Sequence, residues 1–324
     1  MELGMIVSIA IIILIIIGLA YALIKNAVMT MTLAIVNFII FFIWRFSVEG
    51  TMGDLTFYSQ NETYRFVLDN LSIRYGYFSD QPQMLYTLFT HMYLHFDIMH
   101  IISNMIFLVL FGVPFEERVG PKALAAIYFT SGIAASAIDA GFSLYNYSNP
   151  FGQLLGTNPD VYHIGASGAI FGIMGAFVAL YPKDKVFVPI GIIVMNVPVY
   201  IGALAYAAIE SILAFANPND GIGHMVHIMG FLSGMMIAII FSKYIKSEER
   251  VLREGEVDLQ VLKKLATTNE LRDIFLKIED EDEPDIRKAW LEKYAESAKC
   301  PKCKSNMKLK GHKIKCSCGY SLKF

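Results

Sequence analysis

Seven apolar stretches, each long enough to cross a bilayer as an α-helix, dominate the first three quarters of the chain. Stretches of this length and apolarity exclude an ordinary water-soluble fold. In a bilayer we expect them to be helices, because a helix satisfies its own backbone hydrogen bonds where no water is present. The first stretch is too long for a secretory signal and begins with Glu2 rather than a basic residue, so we expect a true span. The seven stretches are 3–24, 26–44, 94–115, 123–143, 164–181, 190–212 and 222–242.

Charged residues are scarce and unevenly placed. They make up 17% of the chain and apolar residues 55%, against norms of about 25% and roughly 45–50%. Residues 1–242 hold 22 of the 56 charged side chains, and residues 243–324 hold the other 34. This division predicts a membrane part followed by a water-soluble tail.

The basic residues between the predicted spans indicate an orientation. Most of them fall in the loops on one side of the membrane, whereas the long loop 45–90 lies on the other side. The basic side is expected to be cytoplasmic, which places the tail in the cytoplasm and loops 45–90, 144–163 and 214–223 outside. The residues that decide this are Lys25, Arg118, Lys122, Lys183, Lys185, Lys243 and Lys246.

The third stretch carries two polar residues on one face of its predicted helix. His100 and Asn104 are four residues apart, and both side chains can donate hydrogen bonds. Polar groups inside a membrane are costly and need a reason. The reason here is either a hydrogen bond between helices or a chemical role.

The fifth stretch opens with a serine beside a row of glycines. Gly168, Gly172 and Gly175 recur at helical spacing, and such a row lets another helix approach closely. Ser167 lies next to this row, near the outer end of the span. A packing role for the serine is the alternative to a chemical one.

The seventh stretch repeats this pattern with a histidine. His227, Gly230 and Gly234 share one helical face. If the two glycine rows pack together, His227 and Ser167 meet at the same shallow depth below the outer surface. His224 is a rival for the role of base, but it lacks a following glycine row in the right register.

These three segments, in this order and spacing, resemble the rhomboid family of intramembrane serine proteases. The resemblance covers residues 26–245 and implies an all-α polytopic membrane fold with a six-helix core. The helix within residues 1–25 would be an additional N-terminal span.

The resemblance implies a role for each motif. Ser167 would be the nucleophile and His227 the base, a dyad because the last span holds no acidic residue. The oxyanion would be held by the backbone N–H of Ser167 and the side chains of His100 and Asn104, and catalysis would need no cofactor. Structural support would come from Gly165, Gly168, Phe171, Gly230 and Gly234.

Two positions depart from the family pattern. A Trp-Arg pair is common in the first outward loop of the family, whereas this chain has Tyr86 and Thr87 at the matching place. A tyrosine often stacks on the catalytic histidine, and Phe171 stands at its position without the hydroxyl.

The resemblance also implies a substrate class and a location. The substrates would be transmembrane segments of membrane-anchored proteins, weakened by Gly, Ala or Ser near the outer surface. They would enter through mobility of residues 190–212 or of the loop before the last helix. A short apolar chain with such a tail favours the plasma membrane of a prokaryote.

The tail divides into two predicted parts. Residues 246–298 carry apolar residues at helical spacing, which predicts a small helical hairpin or bundle. Residues 299–324 contain two close cysteine pairs, which resemble a zinc ribbon and predict a structural Cys₄ zinc site. Disulfides would be the alternative, and a reducing cytoplasm disfavours them. The predicted ligands are Cys300, Cys303, Cys316 and Cys318.

The last 26 residues hold eight lysines and no acidic residue. This charge could attract anionic lipid or nucleic acid, but we do not expect nucleic acid as a partner.

Two other functions fit parts of the sequence. A non-catalytic relative could bind transmembrane helices, although it would not need Ser167, His227, His100 and Asn104 together. A transporter could use the intramembrane histidines as proton relays, with Glu210 as its one suitable acidic residue.

Overall fold

The computed structural model describes most of the chain and separates it into two compact units, residues 1–248 and 249–324. The described residues are 2–25, 27–47, 61–147, 161–190, 193–216, 223–245, 259–281, 284–309 and 313–323.

The described residues of the first unit form eight main helices. One-turn helices between the third and the fourth lie at Tyr77–Asp80, Pro82–Tyr86, Thr87–Thr90 and His91–Tyr93. The main helices are α1 (Glu2–Lys25), α2 (Met29–Phe46), α3 (Glu62–Leu71), α4 (Ile98–Val119), α5 (Pro121–Tyr147), α6 (Ser167–Leu180), α7 (Val199–Ala216) and α8 (His224–Ile240).

Among the described residues, α1, α2, α4 and α5 are long and apolar enough to cross a membrane, and α6, α7 and α8 are shorter apolar helices. In α1 the side chains of Ile11 and Ile15 are buried, whereas Ile6 and Ile16 are 60% and 61% exposed. An apolar face of this kind belongs against lipid rather than water. The chain is therefore an integral membrane protein with a mostly helical fold.

One predicted span is wrong at its beginning. We expected a helix from residue 190, but α7 begins only at Val199. An antiparallel hairpin of β1 (Lys185–Ile190) and β2 (Ile193–Pro198) precedes it. The segment is rich in valine and isoleucine, which favour strands, and apolarity alone does not distinguish a strand from a helix. The all-α prediction thus omits this hairpin.

A buried carboxylate holds the start of α2. Glu116 of α4 accepts hydrogen bonds from the backbone N–H groups of Met29 and Thr30, at 2.6 and 2.8 Å. It also accepts one from the Thr30 hydroxyl at 2.6 Å. The first N–H groups of a helix have no partner within the helix, and a negative charge is favourable there. Glu116 therefore caps α2 from another helix.

The helices α6 and α8 are in backbone contact. A methyl group added at Gly230 would lie 2.1 Å from the carbonyl oxygen of Gly168. One added at Gly234 would lie 2.0 Å from the carbonyl oxygen of Gly172. Only glycine permits this approach, because the atom in the way is backbone and cannot rotate aside.

In the second unit, the described residues form three helices and a small sheet that pack around one core. The core includes Leu262, Phe275 and Tyr294 from the helices, together with Met307 and Ile314 from the end of the chain. Residues on both sides of the predicted boundary at 298/299 thus share a core, and that boundary stays a prediction. The elements are α9 (Leu259–Leu265), α10 (Asn269–Glu279), α11 (Pro284–Ser297), β3 (Lys308–Leu309), β4 (Lys313–Lys315) and β5 (Ser321–Lys323).

The Glu116 cap predicts a stability effect. Replacing Glu116 by Ala leaves two buried N–H groups and a hydroxyl unpaired, and we expect a loss of about 2 kcal/mol in unfolding free energy. The loss is measured by denaturant unfolding in detergent micelles. Glu117→Ala is the control, since Glu117 is the next residue and is exposed. Equal stability of the two variants would contradict the capping role.

The glycine contact predicts a second effect. Gly234→Ala forces α6 and α8 apart, and we expect it to cost about 1–3 kcal/mol, as overpacking does. Gly141→Ala in α5 is the matched control, because a methyl group there meets nothing within 4 Å. The thermal midpoints of the two variants are compared in the same micelles. A Gly234 variant as stable as the Gly141 variant would show that the contact is not needed.

Candidate active site

Ser167 is the first residue of α6, and a turn at Gly165 leads into it. Gly165 has a φ of +130°, a conformation that side chains other than glycine rarely adopt. The backbone N–H of Gly165 donates to the carbonyl oxygen of His91 at 3.0 Å. As the first residue of a helix, Ser167 has a backbone N–H without a partner inside the helix.

The His91 side chain is itself fixed from two sides. Its Nδ1 lies 2.8 Å from the Thr87 carbonyl oxygen, and its Nε2 lies 3.0 Å from the Ser136 hydroxyl of α5. Burial lowers the pKa of His91 to about 4, so the ring is neutral at pH 7. The neutral His91 therefore links α5, through its side chain, to the turn before Ser167, through its backbone carbonyl.

A second set of contacts, around His163, holds the segment that leads into this turn. His163 pairs with Ile73 through backbone hydrogen bonds, and its ring stacks on Tyr75 with centroids 4.2 Å apart. The Tyr75 hydroxyl lies 2.5 Å from a carboxylate oxygen of Asp139 in α5. Burial lowers the pKa of His163 to about 4. The segment between α3 and α4 thus holds the residues that lead to the serine.

The structure brings Ser167 and His227 together. The Ser167 Oγ lies 2.7 Å from His227 Nε2. The Phe171 ring, one turn after the serine, stacks on the His227 ring with centroids 4.7 Å apart and planes 8° from parallel. A serine and a histidine in direct hydrogen-bond contact form the basic unit of nucleophilic catalysis.

The other nitrogen of His227 also has a partner, which sequence reasoning missed. Glu210 of α7 places its Oε2 2.8 Å from His227 Nδ1 and 2.5 Å from His224 Nδ1. The dyad prediction rested on the absence of an acidic residue in the last span, whereas Glu210 comes from the preceding helix. The available signal was that Glu210 is the only charged residue in the stretch 190–212.

Of the two side chains predicted to hold the oxyanion, His100 lies beside the serine, whereas Asn104 is hydrogen-bonded within its own helix. A methyl group added at Gly165 would lie 2.8 Å from His100 Nε2 and 3.8 Å from Ser167 Oγ, so the His100 ring flanks the serine. Asn104 instead donates from Nδ2 to the carbonyl oxygen of His100 at 2.8 Å. Its buried Oδ1 has no hydrogen-bond partner among the residues that the structure describes.

In the second unit, the four cysteines converge. Their sulfur atoms lie within 4.8 Å of one another, with pairs 3.6 Å (Cys300–Cys318) and 3.3 Å (Cys303–Cys316) apart. Four thiolates bound tetrahedrally to zinc at about 2.3 Å lie roughly 3.8 Å apart, close to these spacings. The donor set therefore fits a closed zinc site.

The turns at the cysteines support this fit. Lys304 and Gly319 each follow the second cysteine of a pair, and their φ values are positive, at 61° and 85°. The N–H of Lys304 donates to the carbonyl oxygen of Cys300, and that of Gly319 donates to the carbonyl oxygen of Cys316. Both pairs thus sit on tight turns that point two sulfurs the same way.

Comparison with known proteins identifies a family and several relatives. The Rhomboid domain family matches residues 82–244. The chain is 24% identical over 163 residues to RHOMBOID-like protein 1 of Arabidopsis thaliana, covering 48% of this chain and 34% of that protein. It is 30% identical over 153 residues to Rhomboid protease AarA of Providencia stuartii, covering 46% and 53%. Rhomboid-like protease 3 of Toxoplasma gondii is 26% identical over 170 residues, covering 50% and 54%.

The chain spans between a third and about half of the length of these relatives. The matched domain makes up half of the chain and contains Ser167, His227 and the residues around them. The chain belongs to the rhomboid family.

Proposed function

We propose that the protein is an intramembrane serine endopeptidase in which Ser167 is the nucleophile and His227 the general base. The observation that carries the proposal is the 2.7 Å contact between Ser167 Oγ and His227 Nε2. The chain belongs to the rhomboid family. In it, Ser167 and His227 lie in the first turns of α6 and α8, whose backbones are in contact. No cofactor is needed for this chemistry.

The reaction follows from this contact. His227 Nε2 takes the hydroxyl proton as Ser167 Oγ bonds to the carbonyl carbon of the scissile peptide. The tetrahedral intermediate collapses, the C–N bond breaks, and His227 gives the proton to the leaving amine. A water molecule, deprotonated by His227, then attacks the acyl-enzyme, and Ser167 leaves with the proton returned to its oxygen.

The negative oxygen of the intermediate needs donors. The free N–H of Ser167 and the His100 ring are near enough to serve, and each donor of this kind contributes roughly 10²–10³ in rate. Asn104 would join them by turning its Nδ2 from the His100 carbonyl toward the oxyanion.

The proposed substrates are transmembrane segments of other proteins, cut near the outer membrane surface. Hydrolysis consumes water that the bilayer excludes, so the site at Ser167, which is half-buried, would open to the outer aqueous side. A substrate helix must unwind locally to expose a peptide bond, which favours Gly, Ala or Ser there. Entry beside α7 is the proposed route.

The proposed orientation places Ser167 toward the outside and the C-terminal unit in the cytoplasm. It rests on the lysines and arginines of the loops. The plasma membrane of a prokaryote as the host membrane stays a prediction.

The C-terminal unit is proposed to hold a structural zinc ion on Cys300, Cys303, Cys316 and Cys318. With four protein ligands the metal would have no open position and would stabilise the fold rather than act on a substrate. Zinc binds cysteine as the thiolate, so loading of the site would release the thiol protons.

The protease proposal is tested by cleavage in liposomes. The substrate is a transmembrane helix with a fluorescent pair across its outer third. We expect Ser167→Ala and His227→Ala each to lower turnover by roughly 10³-fold or more, because they act as one unit. Thr130→Ala, which removes an exposed hydroxyl from α5, is the control and should keep full activity. A folded wild type that binds helices but cleaves none would favour the non-catalytic function.

The zinc proposal is tested by metal analysis of the purified chain. We expect one zinc per wild-type chain and strong loss in Cys300→Ser and Cys316→Ser. Ser317→Ala, which keeps all four thiols, should retain the metal. Proteolysis of the C-terminal unit should accelerate after a chelator is added. If wild-type protein purified from cells grown with added zinc contains no metal, the proposed zinc site is wrong.

A further inference from the structure

We propose that Glu210 is the third member of the catalytic unit, a positioning residue that orients His227 and stabilises its protonated form. This inference rests on the proposed function and extends it from a Ser–His pair to a Ser–His–Glu arrangement. The carboxylate comes from α7, whereas the nucleophile is on α6 and the base on α8.

The geometry assigns one hydrogen bond to each nitrogen of His227. Its Nε2 faces Ser167 Oγ at 2.7 Å, and its Nδ1 faces Glu210 Oε2 at 2.8 Å. A carboxylate can only accept, so Nδ1 carries the proton in the neutral ring and Nε2 is left with its lone pair toward the serine. This is the tautomer that a general base requires.

Glu210 needs an explanation of its own, because a carboxylate is expensive on an apolar helix. Its side chain is 18% exposed, so most of its hydration is lost. The partners found for it are two histidines of α8, and one of these is the proposed base. A charge held in this way stabilises a cation forming on His227 during attack.

His224 gives the carboxylate a second anchor. Its Nδ1 lies 2.5 Å from the same Oε2 that faces His227, and its side chain is 3% exposed. The two histidines are three residues apart on α8, so one turn of helix presents both nitrogens to one oxygen. His224 therefore holds Glu210 in register with His227, which explains the His-x-x-His spacing better than a rival base does.

Three titratable side chains face His227 among the described residues: Glu210, His224 and His100. Helix α6 contributes Ser167 and Phe171, and no charged residue. In α5 the one acidic residue, Asp139, is engaged with Tyr75 instead. Among the residues that the structure describes, Glu210 is thus the one anionic group in contact with His227.

The test compares Glu210→Gln, Glu210→Asp and the wild type in the liposome cleavage assay. Glutamine keeps the shape and removes the charge. We expect kcat to fall by roughly 10²–10⁴-fold with little change in KM, as removal of the third member does in serine proteases. Aspartate should recover part of the loss. Ser211→Ala, at the next position of α7, is the control and should match the wild type.

The pH profile separates an electrostatic role from a merely structural one. A carboxylate attracts the cationic form of a neighbouring imidazole by Coulomb interaction, and the cation cannot act as a base. Removal of the carboxylate should move the acidic limb of the kcat/KM profile to lower pH. His224→Gln is run beside it, and the limb should move less than in Glu210→Gln. An unmoved limb in Glu210→Gln would overturn the electrostatic role.

A double variant tests whether Glu210 acts through His227. In a His227→Ala background, adding Glu210→Gln should cause no further loss of residual cleavage, because the group it orients is gone. A further loss of tenfold or more would show an independent role and overturn the proposal. Thermal midpoints of all variants establish that they are folded.

The outcome also separates the two proposals. If the wild type neither cleaves nor is labelled at Ser167 by a fluorophosphonate, the protease function fails, whatever Glu210 does. If the wild type cleaves and Glu210→Gln retains its full kcat, the function stands and only the third member is lost.

Discussion

The contact between the backbones of α6 and α8 is the constraint on which the rest of the site depends. Because Gly230 and Gly234 leave no side chain between the helices, the Ser167 hydroxyl and the His227 ring come within 2.7 Å without a loop to carry them. Rigid helices position reacting groups more accurately than loops do. The remaining contacts then refine this pair: Phe171 holds the ring plane and Glu210 holds the far nitrogen.

Histidines have several distinct roles in this protein. His91 is buried and His163 is half-buried, both are neutral, and they contact the turn before Ser167 and the segment that leads into it. His224 anchors a carboxylate, and His227 faces the serine. The residue type alone could not separate these roles, because each depends on which groups face the two ring nitrogens. The loop between α3 and α4 therefore supports the proposed active site, because Ile73, Tyr75 and His91 contact the residues before Ser167.

Much of the fold could be predicted from the sequence because lipid imposes helices, and the glycine rows indicated which of them meet. The hairpin before α7 could not be predicted, because a strand and a helix of valine and isoleucine look alike in apolarity. Glu210 was missed as a partner of His227, because its approach depends on how α7 packs, which no local spacing reports. Asn104 was expected to hold the oxyanion, and its Nδ2 here donates to the carbonyl oxygen of His100 in its own helix, a local contact that the spacing of His100 and Asn104 did not indicate.

The length of α6 has one further consequence. Its 14 residues rise about 21 Å, whereas the hydrocarbon core is about 30 Å thick. If Leu180 lies at one face of the core, Ser167 lies roughly 9 Å below the other, about six helical residues deep. The length of α6 would then set the depth of the proposed nucleophile in the membrane. A peptide bond would be selected first by how far it lies from the membrane surface, and only then by the side chains that flank it.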